Sequence, residues 1–124
     1  MDLPMVYIRS KKKEHGKTNQ IEGKLEKGQK IVIIEDLIST GQSVLDACNA
    51  AKSQGAQVLG VMAIFTYELE SGRANFEKNQ VPLVTLTNYS TLIDTALSDK
   101  YIDEKELTLL QAWKKDPEHW DLSV

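Results

Sequence analysis

The chain has 124 residues, a length typical of one domain that buries most of its apolar surface, so we expect a single domain over residues 1–124. Its formal net charge of −3 argues against nonspecific binding to nucleic acid or to an anionic membrane surface. The single cysteine, Cys48, excludes an internal disulfide and any multi-cysteine metal site, and it suits a reducing compartment. Because no apolar stretch approaches the roughly 20 residues that span a bilayer and no leader follows Met1, the sequence predicts a cytoplasmic protein.

Strands and helices are predicted to alternate along the chain. Four apolar runs without clean alternation predict strands buried on both faces. They are residues 5–8, 31–34, 58–65 and 83–86. Apolar residues at helical spacing between Val44 and Ala51, followed by Gly55, predict a helix between the second and third strands. A further helix is predicted over residues 70–78. The pattern indicates an α/β fold with a parallel sheet.

The C-terminal part carries the signals of one more helix. Asp103 and Glu106 form a capping-box pattern, which predicts a helix start at that point. The helix should run toward Lys115 and end before Pro117, because a proline disfavours helical backbone in the residue before it.

A small polar loop follows the second predicted strand. Glu35 and Asp36 come directly after the apolar run, and residues 39–43 then open the predicted helix. Carboxylates at the carboxyl end of a parallel strand can accept hydrogen bonds from the vicinal hydroxyls of a ribose. Backbone N–H groups at a helix N-terminus favour a phosphate, and Gly41 allows the backbone to approach it closely. The alternative is a solvated strand end with an ordinary capped turn. The patterns G-x-x-x-x-G-K-[ST] and G-x-G-x-x-G do not occur, which argues against a nucleotide triphosphatase or a dinucleotide-binding domain.

A cationic segment precedes that strand. Residues 9–17 hold most of the basic residues of this segment. They are Arg9, the three consecutive lysines 11–13, His15 and Lys17. The segment follows the first predicted strand, so its start could share the carboxyl edge of the sheet with the 39–43 loop. A solvated charged loop is the alternative interpretation. With only two histidines in the chain and no Cys/His cluster, we expect no metal site built from protein ligands alone.

Both segments resemble known motifs. The apolar tetrad, paired acids and Thr-Gly loop of residues 31–43 resemble the signature of type I phosphoribosyltransferases, which bind 5-phosphoribosyl-1-diphosphate (PRPP). The pattern Arg-x-x-x-Lys-x-His-Gly and the later Asn-Gln-Ile-Glu-Gly are similar to the catalytic loop of orotate phosphoribosyltransferases. The resemblance implies a type I α/β fold, a parallel sheet flanked by helices that is incomplete at the N-terminus. It also implies transfer of the phosphoribosyl group of PRPP to orotate, giving orotidine 5′-monophosphate and diphosphate.

Carried over by position, the resemblance implies a set of site residues. Glu35 and Asp36 would hold the ribose hydroxyls. The 5′-phosphate would be surrounded by Ser39, Thr40, Gly41, Gln42 and Ser43. The catalytic set would be Arg9, Lys13, His15 and Asp36, in which the three basic residues contact the diphosphate or stabilise its departure. The resemblance further implies Mg²⁺, held mainly through substrate and water, and a homodimer in which the catalytic loop closes over the neighbouring subunit's site.

Two other interpretations remain open at this point. A regulatory module could bind PRPP without catalysis, although a sensor has little need for the leaving-group residues Arg9, Lys13 and His15. An inactive fragment of the enzyme would carry the same sequence. We expect the N-terminal segment of the family, which holds the pyrimidine, to be missing, and therefore one apolar side of the sheet to be exposed.

Overall fold

The computed structural model describes residues 2–9 and 20–120. The strands are β1 (Tyr7–Ile8), β2 (Ile21–Glu22), β3 (Lys30–Ile38), β4 (Gln57–Thr66) and β5 (Leu83–Asn88). The helices are α1 (Gln42–Ser53), α2 (Glu70–Lys78), α3 (Tyr89–Ser98) and α4 (Glu104–Lys115), and a 3-10 turn covers Pro117–His119. Within these described residues no helix is long and apolar enough to cross a membrane.

A parallel sheet of three strands organises the fold. The order is β3-β4-β5, so β4 is the central strand. Ile34, Met62 and Val84 lie side by side in neighbouring strands. Because parallel neighbours need crossover connections, α1 joins β3 to β4 and α2 joins β4 to β5. The predicted α/β class with a parallel sheet is confirmed.

The first predicted strand lies elsewhere. Tyr7 and Ile8 pair antiparallel with Glu22 and Ile21, in a two-stranded sheet separate from the parallel one. Met5 is 90% exposed. The prediction that residues 5–8 form a buried strand is therefore wrong. An antiparallel pair close in sequence needs no crossover element, and the structure adopts this local pairing.

The core lies between the sheet and the first two helices. Val44, Leu45 and Cys48 of α1 and Phe76 of α2 pack against the sheet. The strand residues of this cluster are Ile38, Val61 and Ala63, with Ile33, Val58 and Leu83 partly buried beside them. Gly55, at φ 87°, follows α1 and turns the chain back toward β4, as predicted for a helix stop.

The opposite face of the sheet is apolar and exposed. Ile34 is 72% and Leu86 74% exposed. Val32, Met62, Ile64 and Val84 are also exposed. Side chains alternate between the faces of a strand, so residues next to core positions point the other way. The prediction of strands buried on both faces is thus wrong for this chain, whereas the expected exposure of one apolar side is observed.

The C-terminal helices pack at the end of β4 and β5. Tyr67, Tyr89 and Trp113 form a cluster with ring centroids 5.2 to 6.0 Å apart. The Tyr89 hydroxyl donates to the Leu110 carbonyl at 3.0 Å. The capping box of α4 is present as predicted, with Asp103 and Glu106 each accepting from the other's backbone N–H at 2.8 Å. Helix α3 had not been predicted.

The exposed sheet face provides a test of the fold. We expect Ile34→Thr with Leu86→Thr to change the free energy of unfolding by less than about 1 kcal/mol, because both side chains already contact water. The same variant should lower concentration-dependent light scattering, because it removes apolar surface available for self-association. Val61→Thr is the control. Val61 is 1% exposed, so burial of the new threonine hydroxyl should lower the free energy of unfolding by about 1–3 kcal/mol. Scattering unchanged by the double variant would contradict the expectation.

Candidate functional site

Glu35 and Asp36 lie inside β3, which continues past them to Ile38. Asp36 is exposed and Glu35 is half-buried. The Asp36 backbone N–H donates to Glu35 Oε1 at 2.9 Å. The adjacent acids thus differ in environment, and the exposed carboxylate of Asp36 is the freer of the two to meet a ligand.

The two carboxyl groups have pKa values shifted in opposite directions. Burial raises the pKa of Glu35, and the hydrogen bond and negative charge of Asp36 raise it further. The pKa of Asp36 is lowered, chiefly because the Glu35 carboxyl hydrogen-bonds to its ionised form. Asp36 is therefore the member of the pair that keeps its negative charge to lower pH.

Residues 39–43 connect β3 to α1. Ser39, Thr40, Gln42 and Ser43 are exposed, whereas Gly41 is buried. Gly41 is the N-cap residue of α1 and has φ 79°, in the left-handed region that glycine adopts readily. The loop therefore presents polar side chains around a backbone turn that requires glycine.

The first turn of α1 is left without the usual partners for its N–H groups. No side chain caps it, and its first turn contains no acidic residue. The Gln42 N–H donates to Thr40 Oγ1 at 3.4 Å, a distance that makes this a weak hydrogen bond. By contrast, Asn88 caps α3 through the Thr91 N–H. The positive end of the α1 dipole is thus available to an anion.

Helix α2 contacts this loop through residues that the sequence had not indicated. Asn75 Nδ2 donates to the Thr40 carbonyl at 2.9 Å. A Cβ on Gly72 would lie 2.6 Å from the Ser39 oxygen, and one on Gly41 would lie 2.5 Å from Phe76 Cε2. Positions 72, 75 and 76 share one face of the helix. The loop therefore rests directly on α2. No local signal marks these contacts, because Thr40 and Asn75 are 35 residues apart.

The end of β4 adjoins the end of β3. The Tyr67 N–H donates to the Ile38 carbonyl at 3.0 Å. Glu68 has φ 57°, and its Oε1 accepts from the Ser90 N–H at 2.8 Å and lies 3.5 Å from Lys114 Nζ. Burial acts to raise the pKa of Glu68, but the Ser90 bond and the Lys114 charge outweigh it and lower the pKa. These contacts join this edge of the sheet to α3 and α4.

The basic residues predicted upstream are only partly described. Arg9 follows β1; its side chain forms an ion pair and a hydrogen bond with Glu22, and its N–H donates to the Gln20 carbonyl at 2.7 Å. Among the described contacts, none joins Arg9 to Glu35 or Asp36. The prediction that the start of the cationic segment shares a sheet edge with the 39–43 loop is wrong, because β1 is not part of the parallel sheet. Lys13 and His15 lie outside the described residues.

A cavity of about 480 Å³ lies between α2, the ends of β3 and β4 and the start of β5. Its wall includes Ile38, Phe76, Val81 and Leu83. None of the predicted ligand-binding residues lines this cavity.

Comparisons with known proteins bear on this arrangement. Residues 1–102 match the family model described as a phosphoribosyl transferase domain. The chain belongs to the phosphoribosyltransferase family. An orotate phosphoribosyltransferase of Enterococcus faecalis is 68% identical over 120 residues, and those of Streptococcus mutans and Listeria innocua are 63% and 58% identical. Each alignment covers 97% of this chain and 57% of the relative, so the phosphoribosyltransferase chain spans little more than half of these relatives.

Solved structures share the fold. The orotate phosphoribosyltransferase of Aeropyrum pernix has a TM-score of 0.63 and 26% identity, over 74% of this chain and 51% of that one. UMP synthase of Leishmania donovani has a TM-score of 0.74 over 92% of this chain and 24% of that one. Its identity is 23%, so this second likeness concerns the fold alone. The phosphoribosyltransferase fold class is thus supported from sequence and from structure.

Gly41 provides a test of the loop's packing on α2. We expect Gly41→Ala to lower the free energy of unfolding by about 2–4 kcal/mol, because the left-handed φ and the contact with Phe76 both oppose a Cβ. Gly28→Ala is the matched control, with φ +82° but nothing within 4 Å of the new Cβ. Gly28→Ala should lower the free energy of unfolding by about 1–2 kcal/mol. Equal losses for the two variants in urea unfolding would show that the Phe76 contact does not constrain the loop.

Glu35 provides a test by pH. Folding raises the pKa of Glu35, so ionisation of this carboxyl opposes folding. The neutral carboxyl favours the folded state in acid, and this contribution to stability is lost as the pH rises through the folded-state pKa. Glutamine stays neutral and can still accept the Asp36 N–H. The free energy of unfolding of Glu35→Gln, minus that of the unsubstituted chain, should therefore increase from pH 4 to pH 7. A difference that is flat or falls over this range would contradict the assignment.

Proposed function

We propose that the protein containing this chain is an orotate phosphoribosyltransferase. In this reaction the C–O bond between the ribose anomeric carbon and diphosphate breaks, and a bond from that carbon to a ring nitrogen of orotate forms. The observation supporting the PRPP site is the start of α1, which no side chain caps and which follows the acidic pair of β3 across the short 39–41 loop. The choice of orotate rests on the curated relatives, which are up to 68% identical to this chain.

Each part of the proposed site has a physical task. Asp36, with Glu35 beside it, accepts hydrogen bonds from the ribose hydroxyls. Residues 39–43 surround the 5′-phosphate, with the N–H groups of the first turn of α1 as donors. Binding the sugar phosphate at both ends fixes the anomeric carbon relative to the incoming base. Such positioning can contribute on the order of 7–11 kcal/mol to a bimolecular reaction.

The departing diphosphate requires positive charge. Arg9, Lys13 and His15 are the proposed donors to its oxygens, where they stabilise the charge that develops as the bond breaks. Arg9 is paired with Glu22 in the structure, so in this mechanism the guanidinium exchanges that carboxylate for the diphosphate.

Mg²⁺ is the proposed cofactor. The described residues contain no group of three or more His, Cys, Asp or Glu side chains placed to hold a metal ion. What they offer is the acidic pair of β3, which fits a cation that retains much of its water and binds substrate oxygens. When bound, Mg²⁺ would supply positive charge to the diphosphate. Asp36, exposed and with a lowered pKa, is the residue best suited to face it, directly or through water.

A homodimer in the cytoplasm completes the proposal. The cationic loop around Lys13 would close over the site of the neighbouring subunit and exclude water during transfer. Cys48 is a free, buried thiol, which suits a reducing compartment. A purely regulatory PRPP-binding module is the less favoured alternative, because the curated relatives carry the name of the enzyme.

The sugar-phosphate site is tested by titrating the chain with ribose 5-phosphate in a calorimeter. We expect saturable binding that is at least roughly tenfold weaker in Asp36→Ala with Thr40→Ala, because two groups facing the ligand are lost. The matched control is Asp94→Ala with Thr95→Ala, which removes the same residue types from an exposed part of α3. Equal affinity in the Asp36 and Thr40 variant would rule out the proposed cradle.

The transfer reaction is tested in a chimera. In the Enterococcus faecalis relative, the region that aligns with this chain is replaced by this chain, and orotate consumption is followed with PRPP and Mg²⁺. We expect turnover with orotate, none with adenine, and loss of activity in Asp36→Ala. An inactive chimera that still binds ribose 5-phosphate would favour the regulatory module over the enzyme.

A further inference from the structure

The loop between β3 and α1 turns two consecutive carbonyls toward α2. The Ser39 oxygen would lie 2.6 Å from a Cβ on Gly72, whereas the Ser39 carbonyl carbon would lie 3.7 Å from it, so the C=O bond points at the helix. The Thr40 carbonyl accepts from Asn75 Nδ2 at 2.9 Å. Both carbonyls are therefore directed at the same face of α2.

The planarity of the peptide group determines where the next N–H groups point. In a trans peptide the C=O of one residue and the N–H of the following residue lie in one plane and point in opposite directions. With the Ser39 and Thr40 carbonyls on α2, the N–H groups of Thr40 and Gly41 point away from the helix. Successive backbone N–H groups directed to one side form an anion-binding concavity.

The Thr40-Gly41 peptide is also the one most able to turn over. Glycine tolerates a wide range of φ values, so the peptide before Gly41 can rotate at low steric cost. A rotated peptide would present the Thr40 carbonyl oxygen to the ligand in place of the Gly41 N–H, and its partial negative charge would repel a phosphate. Asn75 makes the hydrogen bond that opposes this rotation.

We propose that Asn75 is a positioning residue for the phosphate loop: its amide holds the Thr40 carbonyl on α2 and so directs the Gly41 N–H toward the bound phosphate. The inference rests on the proposed ribose-phosphate site and adds to it a residue from a different element. Asn75 acts through the loop backbone and does not itself contact the ligand. Gly72 supports the same arrangement, because any side chain there would push the Ser39 carbonyl off the helix.

The residue that follows α2 supplies a matched control. Asn79, one turn further on, donates from Nδ2 to the Asn75 carbonyl at 2.7 Å. Asn75→Ala and Asn79→Ala thus each remove one asparagine side chain and one side chain to backbone hydrogen bond. Of these two side chains, only that of Asn75 bonds to the phosphate loop.

The test is calorimetric titration of the chain and its variants with ribose 5-phosphate and, separately, with inorganic phosphate. We expect Asn75→Ala to bind both ligands roughly 3- to 10-fold more weakly, the effect of one lost hydrogen bond. Asn75→Asp should bind at least roughly tenfold more weakly, because an ionised carboxylate cannot donate to the Thr40 carbonyl and repels it. Asn79→Ala should bind like the unsubstituted chain. Unfolding midpoints should fall by similar amounts in the two alanine variants.

A spectroscopic measurement separates positioning from general destabilisation. In ¹⁵N-labelled chain, the Gly41 amide proton should shift downfield on addition of phosphate, and this shift should be reduced in Asn75→Ala but retained in Asn79→Ala. Unchanged affinity and an unchanged Gly41 shift in Asn75→Ala would overturn the proposal, as would equal losses of affinity in the two alanine variants. If the unsubstituted chain binds neither ligand, the proposed ribose-phosphate site fails and this inference falls with it.

Discussion

The contact between α2 and the loop that follows β3 is the constraint on which the candidate site depends. Gly72, Asn75 and Phe76 lie against the backbone between Ser39 and Gly41, where Gly41 has a left-handed φ. The position of the loop in turn sets where α1 begins. The start of α1, which no side chain caps, therefore follows the acidic residues of β3 across a short connection that a third element supports.

The same region combines unfavourable local features. Glu35 is half-buried beside a second carboxylate, α1 lacks a cap, and Glu68 has a positive φ without being glycine. Each costs folding free energy that a protein optimised for stability alone would avoid. The helix-side core of Val44, Leu45, Val61 and their neighbours offsets these costs. Their concentration along one edge of the sheet is typical of a functional site.

Local sequence patterns predicted most of the fold, and contacts between distant residues account for what they missed. The strands of the parallel sheet carry apolar runs, α1 has apolar residues at helical spacing, and α4 has a capping box. Helix α3 has such a signal in its cap, Asn88, but an asparagine just after the predicted 83–86 strand is equally typical of a loop, so the helix was not predicted. The 5–8 run has strand composition, yet composition cannot say which partner a strand pairs with. Glu35, Asp36 and the 39–43 loop were predictable as a contiguous motif, whereas Asn75 and Gly72 were not, because their role depends on a contact across 35 residues.

The support that α2 gives the loop also has a consequence for folding kinetics. Thr40 and Asn75 are 35 residues apart, with α1, β4 and the start of α2 between them in the chain. Contacts at such separation require loop closure before they stabilise anything, so they tend to form late. We therefore expect the loop to take its native shape late in folding. A sugar phosphate that bound to the proposed site would then select chains in which the sheet and α2 are already assembled, and so it would stabilise the native state as a whole.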